Sequence, residues 1–181
     1  VGVTAAMPSG TGLNKLMEKF PDRFWDVAIA EQHAITSMAA MAKEGFKPYI
    51  TIYSTFLQRG FDQIIHDVCL MNLPVVFAMD RAGMVGNDGE THQGVFDISF
   101  LRFIPNMVLF APRDNETLIQ GLEFAYTLTS PSAIRYPRGY FKELVYNSTP
   151  FTCGKADLLK DGGSNKLCIG EGAGVSRAIE T

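Results

Sequence analysis

Short apolar runs alternate with amphipathic segments along the first 139 residues of the chain. The apolar runs predict six buried strands, at Val1–Met7, Trp25–Ala30, Tyr49–Tyr53, Val75–Met79, Met107–Phe110 and Ala133–Tyr136. Between them, apolar residues recur three and four positions apart, which is the spacing of the buried face of an α-helix. Strands that alternate with helices predict an α/β fold with a doubly wound, mostly parallel sheet that carries helices on both faces.

Three helices and one loop have distinctive sequences. One helix begins at Glu31, and Gly45 is placed to cap its carboxyl end. The helix predicted over Leu57–Met71 has the most regular apolar spacing, and a later helix has Asp114 as its predicted N-cap. The segment Arg81–Ser99 carries four glycines, and loops of this length are either functional or disordered.

The alternating pattern breaks after residue 139. We predict one domain over residues 1–139, a polar linker over residues 140–165, and the start of a second domain over residues 166–181. In that last part KLCIGEGAGV resembles a strand followed by a glycine turn. Residue 1 lies inside an apolar run, and the last residues resemble the first turns of a helix. We therefore expect the sequence to be a piece of a longer polypeptide.

The overall composition limits the classes of function. With 46% apolar residues among 181, the chain can form an ordinary globular core. Its formal net charge of −3 gives no general attraction to nucleic acid or to anionic membranes. No signal peptide and no apolar run of bilayer-spanning length is recognisable in the sequence. Three cysteines without a CxxC pair predict reduced thiols and a cytoplasmic setting, and no ligand spacing suggests a metal site.

Polar and aromatic residues follow three of the predicted strands. The segments are DVAIAEQHAIT at Asp26–Thr36, IYSTFLQRGFDQ at Ile52–Gln63 and DRAGMVGNDGETHQG at Asp80–Gly94. Ligands of open parallel sheets bind beyond the carboxyl ends of the strands. These segments therefore predict one composite site at that edge of the sheet.

Glu31 stands in the first turn of a predicted helix, directly after a strand. The more common interpretation of such a residue is a carboxylate that the helix dipole favours. The functional interpretation is a buried acid that holds a proton for a heteroaromatic ring, since burial favours the protonated form of a carboxyl group. Its neighbour His33 is interpreted as an ordinary helix residue.

Tyr53 and Phe56 flank the turn after the third strand. Aromatic residues at such positions usually belong to the core, but a helix that starts at Ser54 would let both rings line the crevice and stack on a flat ligand. The helix that follows carries a polar stripe, which we expect to be solvated or to contact another subunit: Arg59, Asp62 and His66.

Four further residues carry candidate chemistry. Arg81 and Arg138 follow two different strands, so their guanidinium groups could clamp a phosphate with charge-assisted hydrogen bonds. Asp88 lies between two glycines, where it can also serve only as a turn former. His92, in the same glycine-rich loop, fits a general acid or base or a hydroxyl-binding group.

Together these segments resemble the pyrimidine-binding domain of the thiamine-diphosphate-dependent transketolase superfamily, and within it the 1-deoxy-D-xylulose-5-phosphate synthase family. The resemblance rests on AEQHAIT, IYSTFLQRGFDQIIHDV, DRAGMVGNDGETHQGVFD, LRFIPNM and RYPRG. It implies an enzyme that condenses pyruvate with glyceraldehyde 3-phosphate, releases CO2 and forms 1-deoxy-D-xylulose 5-phosphate, a precursor of isoprenoids, thiamine and pyridoxal. It also implies thiamine diphosphate and Mg2+ as cofactors, and a homodimer.

The resemblance further implies roles for individual residues. Glu31 matches the catalytic acid that hydrogen-bonds the aminopyrimidine ring of the cofactor and promotes loss of its C2 proton. Phe56 matches the ring that stacks on that pyrimidine. Substrate-binding positions of the family are matched by Tyr53, Arg81, Asp88, His92 and Arg138. Of these, His92 also matches a catalytic group near the reacting centre, and the two arginines match the anchors of the acceptor phosphate.

The family's ligands for Mg2+ and for the diphosphate lie in an N-terminal domain with a GDG…N pattern, which does not occur in these 181 residues. We therefore expect this chain to supply half of a cofactor site, to hold no metal by itself and to have no turnover alone. Two other interpretations stay open. The domain could belong to transketolase or to the β chain of a 2-oxo-acid dehydrogenase, or it could be a non-enzymatic α/β dimerisation module.

Overall fold

All six predicted strands lie in one sheet. The computed structural model describes residues 1–144, 146, 149–163 and 165–180. The strands are β1 Gly2–Thr4, β2 Phe24–Asp26, β3 Tyr49–Tyr53, β4 Val76–Asp80, β5 Val108–Phe110 and β6 Ser132–Arg135. Every neighbouring pair is parallel, and the strand order is β2-β1-β3-β4-β6-β5. The predicted α/β fold with a parallel sheet is therefore confirmed.

The first two strands are shorter than the sequence predicts. The apolar runs predict strands over Val1–Met7 and Trp25–Ala30, but the backbone turns before either run ends. Ala6 and Ala28 have φ of 61° and 59°, in the left-handed region where an extended strand cannot continue. The Asp26 carboxylate holds both turns, because its Oδ1 accepts hydrogen bonds from the amides of Ala6 at 2.7 Å and Ala28 at 3.0 Å.

Helical segments connect the strands and follow them. They are α1 Asn14–Lys19, α2 Glu31–Lys43, α3 Ser54–Leu57, α4 Phe61–Gln63, α5 Asp97–Leu101, α6 Asn115–Thr127 and α7 Val175–Glu180. The end of α2 is as predicted, because Gly45 follows it with φ of 89° and donates to the Ala42 carbonyl at 3.1 Å. The start of α6 is also as predicted, since the Asp114 carboxylate accepts from the amide of Thr117 at 2.8 Å.

The helix predicted over Leu57–Met71 is broken into short segments, so the prediction of one continuous helix is wrong. After α3 come a 3-10 turn at Gln58–Gly60, α4 and a π-helical segment at Ile64–Cys69. The break occurs where the chain passes close to α2: a Cβ atom on Gly60 would overlap the Cδ1 atom of Ile35. The buried positions are nevertheless those that the spacing predicts, Ile64, Val68 and Cys69.

The sheet is covered on both faces. The larger core cluster joins α2 and the segments after β3 to one face, where Ile35 packs with Ile52 and Phe77. On the opposite face, Ala125 of α6 packs with Val76 and its neighbours. Consecutive residues of β4 thus belong to opposite layers, as the alternation of side chains along a strand requires. This arrangement leaves the carboxyl edge of the sheet free for the polar segments.

The strand predicted near residue 166 is absent from the described part of the chain. Residues 165–171 belong to neither a helix nor a strand, and Leu167 and Ile169 are 80% and 82% exposed. A 3-10 turn at Gly172–Gly174 and α7 follow. The domain boundaries at residues 139 and 165 stay predictions. Within the described ranges, no helix combines the length and the apolar character needed to cross a membrane.

Candidate active site

The strand order reverses about β1 and β3, and the polar segments meet there. Such a reversal leaves a crevice at the carboxyl edge of the sheet in which ligands bind. The turn after β1 packs against the end of β3. Met7 Sδ accepts a hydrogen bond from the amide of Tyr53 at 3.5 Å, and Gly10 lies so close to Tyr53 that an added Cβ atom would overlap the hydroxyl group. The Gly10 carbonyl accepts a 3.2 Å hydrogen bond from Nη1 of Arg81, which follows β4. Three strand ends are thus joined around Tyr53.

Glu31 is a buried carboxylate at the start of α2. Its side chain is 4% exposed, and Nη1 of Arg59 donates a 2.8 Å hydrogen bond to its Oε1. None of the described residues donates a hydrogen bond to Oε2. Glu31 thus begins a helix and is also shielded from water, and its functional role stays a prediction.

Three rings form an aromatic wall beside this ion pair. The Phe56 centroid lies 6.0 Å from that of Tyr53 in a stacked arrangement and 5.1 Å from that of His92 in an edge-on arrangement. The guanidinium carbon of Arg59 lies 4.9 Å from the Phe56 centroid. One cation therefore touches both the buried carboxylate and the wall. Because Phe56 and His92 are only partly buried, their ring surfaces are accessible from the crevice.

A charged cluster lies on the other side of Tyr53. The guanidinium carbon of Arg81 is 3.8 Å from the Tyr53 centroid. Nη1 of Arg81 pairs with Asp80 at 2.9 Å, and its Nε pairs with Asp88 at 2.8 Å. Nε of Arg138 lies 3.7 Å from the same Asp88 oxygen. The two arginines that the sequence predicts to clamp a phosphate thus share one carboxylate.

The pKa values of the two carboxyl groups in this cluster are shifted in opposite directions. Burial raises the pKa of Asp80, and the adjacent Arg81 only partly opposes that effect. The hydrogen bond from Arg81 lowers the pKa of Asp88, and the charge of Arg138 acts in the same direction. Asp88 is therefore ionised at neutral pH and neutralises part of the positive charge that faces the crevice.

The segment after β4 is a folded loop that presents Asp88 and His92 to this cluster. Gly83 and Gly94 exchange two backbone hydrogen bonds, at 2.6 and 2.9 Å, which close the loop at its base. Inside the loop, the Gln93 side chain binds two backbone groups at 2.8 and 2.9 Å. The loop is therefore built from its own hydrogen bonds, and its two candidate residues are held in defined positions.

Comparison with known proteins identifies the family. Residues 1–142 match the family described as transketolase, pyrimidine binding domain. The chain belongs to this family. Among its relatives, the 1-deoxy-D-xylulose-5-phosphate synthase of Aliarcobacter butzleri is 84% identical over the whole chain, and that of Sulfurimonas denitrificans is 66% identical. The chain spans 30% of the length of each of these two proteins.

Solved structures share the fold of this pyrimidine-binding domain. A split gene transketolase, described as an inactive β4 tetramer, has a TM-score of 0.75 at 29% identity, over 88% of this chain and 52% of its own. A transketolase from Campylobacter jejuni has a TM-score of 0.67 at 22% identity, over 82% of this chain and 24% of its own. The second likeness supports the fold alone.

Two charged residues of the pyrimidine-binding domain were missed by sequence reasoning. The polar stripe is predicted to be solvated or to contact another subunit, and all three of its residues are exposed, but Arg59 also pairs with the buried Glu31. Asp62 and His66 pair with each other at 2.9 Å. No sequence signal identifies Arg59, since its contact joins segments 28 residues apart. The sequence does carry a signal for Asp80 as a candidate site residue, because it is the charged last residue of a buried strand.

The other candidates for chemistry in this pyrimidine-binding domain lie apart from the cluster. In residues 1–144, 146, 149–163 and 165–180, no three His, Cys, Asp or Glu side chains form a group that could hold a metal ion. The cysteines are free; Cys69 is buried, which raises its pKa to about 12, whereas Cys153 and Cys168 are exposed. A hollow of about 490 Å³ between β2 and α2 is lined mainly by apolar side chains, and none of the predicted site residues lines it.

Proposed function

We propose that this chain forms the pyrimidine side of the active centre of a thiamine-diphosphate-dependent 1-deoxy-D-xylulose-5-phosphate synthase. The complete enzyme joins pyruvate to glyceraldehyde 3-phosphate, releases CO2 and forms 1-deoxy-D-xylulose 5-phosphate. The observation that carries the proposal is the unbroken line of contacts from the buried carboxylate of Glu31, along the aromatic wall, to Arg81 and Arg138. The identity of 84% and 66% to two such synthases supports the same assignment.

The residues at the start of α2 and after β3 fit an aminopyrimidine ring. Oε2 of Glu31 has no donor among the residues that the structure describes, so it can share a proton with a ring nitrogen. Phe56 offers a partly exposed ring that can stack on a flat heterocycle. When bound, the cofactor supplies the nucleophilic carbon and the electron sink for the decarboxylation of pyruvate.

Glu31 acts in this proposal as the proton partner of the pyrimidine. Burial keeps its hydrogen bond free of competition from water, and a low local dielectric strengthens that bond. By holding a proton at the ring nitrogen, Glu31 promotes loss of the C2 proton of the cofactor. Mg2+ and the diphosphate are held by parts of the enzyme outside this chain.

Arg81 and Arg138 anchor the phosphate of glyceraldehyde 3-phosphate in this proposal. Guanidinium groups bind phosphate oxygens with paired, charge-assisted hydrogen bonds. Because Asp88 pairs with Arg81 at 2.8 Å, an incoming phosphate has to displace this carboxylate or share the cation with it. Asp88 then becomes available to a hydroxyl group of the substrate.

Tyr53 and His92 contact the remaining polar groups of the substrates. Nδ1 of His92 lies 3.1 Å from the hydroxyl of Thr91, which orients the imidazole and leaves Nε2 for a substrate oxygen. His92 can therefore move a proton at the reacting carbonyl group. The hydroxyl of Tyr53 is the second donor beside the aromatic wall.

The proposal also includes the organisation of the chain. Residues 1–139 are the pyrimidine-binding domain, residues 140–165 a linker and residues 166–181 the start of the C-terminal domain. The linker contacts the first domain where Phe151 stacks on Phe124 with centroids 6.1 Å apart and Arg113 pairs with Asp157 at 2.8 Å. The complete enzyme is a homodimer of the cytoplasm, a state that sedimentation of the full-length protein would measure.

Substitution of Glu31 in the full-length protein tests the proposed function. Glu31→Gln should leave the fold intact and abolish exchange of the C2 proton of thiamine diphosphate, followed by NMR after acid quench. Glu44→Gln, at the exposed end of α2, is the matched control and should exchange normally. Normal exchange in Glu31→Gln would refute the assignment.

Product analysis separates this synthase from transketolase. With pyruvate and glyceraldehyde 3-phosphate, we expect CO2 and 1-deoxy-D-xylulose 5-phosphate in equal amounts. Transfer of a two-carbon unit from a ketose phosphate, without consumption of pyruvate, would indicate transketolase instead.

A further inference from the structure

Among the described residues, Arg59 is the cation that pairs with the buried carboxylate of Glu31. Taking a carboxylate out of water is costly unless a charged or hydrogen-bonding partner compensates for the lost hydration. Nη1 of Arg59 supplies that compensation at 2.8 Å, and it binds only Oε1. The ion pair therefore fixes one oxygen of the carboxylate and leaves the other to a ligand.

The same guanidinium group also contacts the aromatic wall. Its central carbon lies 4.9 Å from the centroid of Phe56, within the range of a cation–π interaction. The side chain of Arg59 is 54% exposed, whereas that of Glu31 is 4% exposed. Arg59 thus reaches from the solvent side into the crevice and joins the two residues that the proposed function assigns to the pyrimidine ring.

The backbone around Arg59 explains why it points toward α2. The 3-10 turn Gln58–Gly60 interrupts the helical path after β3 at this residue. Gly60 lies so close to α2 that a Cβ on it would overlap Ile35 Cδ1 and lie 3.6 Å from the Glu31 carbonyl oxygen. This close approach places the start of the Arg59 side chain beside the first turn of α2.

The other charged groups of these two elements face elsewhere. Asp67 accepts a hydrogen bond from the hydroxyl of Thr36 at 2.5 Å. Asp62 and His66 pair with each other in exposed positions. His33 of α2 is exposed, and β1 and β3, which pack against α2, contain no charged residue. Arg59 is therefore the cation that sets the charge balance at Glu31.

We propose that Arg59 is a positioning residue for the pyrimidine side of the active centre. It holds the Glu31 carboxylate in one orientation and holds the Phe56 ring at a fixed distance from it. The inference rests on the proposed function, because it assigns Arg59 to the same ligand. Arg59 acts through Glu31 and Phe56, and its planar guanidinium group suits two contacts at once.

Two variants of Arg59 in the full-length protein test this inference. Calorimetry with thiamine diphosphate in the presence of Mg2+ should show binding about tenfold weaker in Arg59→Gln than in the wild type at pH 7. Exchange of the C2 proton should also be about tenfold slower in Arg59→Gln at saturating thiamine diphosphate, because the Glu31 carboxylate is no longer held in one orientation. Arg59→Lys retains the positive charge but not the planar group, so it should restore only part of the affinity and part of the exchange rate.

Arg102→Gln is the matched control, since it removes another exposed arginine, at the C-cap of α5. It should bind thiamine diphosphate and exchange the C2 proton like the wild type. Unchanged binding by Arg59→Gln, or C2 exchange at the wild-type rate in the saturated Arg59→Gln enzyme, would overturn the inference. If Arg59→Gln does not fold, wild-type affinity together with a wild-type exchange rate in Arg59→Lys would overturn it as well. The Glu31→Gln experiment tests the proposed function separately, because normal C2 exchange in that variant would refute it. If Glu31→Gln loses C2 exchange but Arg59→Gln behaves like the wild type, only the role of Arg59 is refuted.

Discussion

Replacing Gly10 by Ala should disturb the contact between Tyr53 and Arg81 in the crevice without removing any charged or aromatic group. A Cβ at this position would overlap the Tyr53 hydroxyl oxygen and lie 2.8 Å from Cζ of the same ring. Tyr53 is 8% exposed, and its ring is enclosed by Phe56 and Arg81. The ring therefore has to move away from the turn after β1, which disrupts the 3.8 Å contact between Tyr53 and Arg81.

The size of the effect follows from the contacts that are lost. A cation–π interaction is worth about 0.5–2 kcal/mol, and about 1.4 kcal/mol corresponds to a tenfold change in affinity. If Arg81 anchors the acceptor, the KM for glyceraldehyde 3-phosphate should rise about 2- to 30-fold. Overpacking costs about 1–3 kcal/mol of unfolding free energy, and the loss of a flexible glycine from the unfolded chain offsets about 0.4–1 kcal/mol of it. The variant should therefore still fold.

Steady-state kinetics of the full-length enzyme measure both substrates separately. We expect Gly10→Ala to raise the KM for glyceraldehyde 3-phosphate more than the KM for pyruvate. Gly162→Ala is the control, because a Cβ there meets no atom within 4 Å. A folded Gly10→Ala enzyme with wild-type KM for the acceptor would show that the Tyr53–Arg81 contact does not position the phosphate anchor.

Three further predictions concern single groups. The Asp88→Asn variant should bind inorganic phosphate more tightly than the wild type, because the substitution removes the carboxylate that competes for Arg81. Calorimetry measures this affinity, and weaker binding would contradict the prediction. Iodoacetamide at pH 8 should label the two exposed cysteines of the native protein but not Cys69, since burial raises the Cys69 pKa to about 12. Mass spectrometry of the protein labelled before and after unfolding shows which cysteines have reacted. Hydrogen bonds from a threonine hydroxyl and from Arg113 lower the pKa of Asp157. The linker contact should thus persist at neutral pH and be lost only as the pH falls through this lowered pKa, and Asp157→Asn should expose the linker to trypsin already at pH 7.

The sheet could be predicted because strands and helices alternate with unambiguous periods. β3 has the predicted bounds Tyr49–Tyr53, since Pro48 and the polar residues after Tyr53 delimit a single apolar run. The strand predicted near residue 166 is wrong for a different reason. Its apolar residues Leu167 and Ile169 have strand-like composition, but strand formation requires a neighbouring strand or a covering layer, and both side chains stay exposed.

The site could be predicted in outline but not in its ion pairs. Tyr53 ends a strand, whereas Glu31, Phe56 and Arg81 follow strands. The topology of a parallel sheet brings such strand ends together. The contact between Arg59 and Glu31 depends on how closely two helical segments approach, which is decided by a glycine in one and an isoleucine in the other. Periodicity reports which face of a helix is buried, and it carries no information about such a local interruption.

The stacking of Tyr53 on Phe56 has a consequence for redesign of the enzyme. In the proposed assignment, Tyr53 belongs to the acceptor end and Phe56 to the cofactor end, and the two rings are in contact. We therefore expect substitutions at one end to affect binding at the other. Variants in which the pocket around Tyr53 is enlarged should therefore also differ in their affinity for thiamine diphosphate. Screening such variants at saturating thiamine diphosphate would conceal that cost, whereas screening at limiting thiamine diphosphate would reveal it.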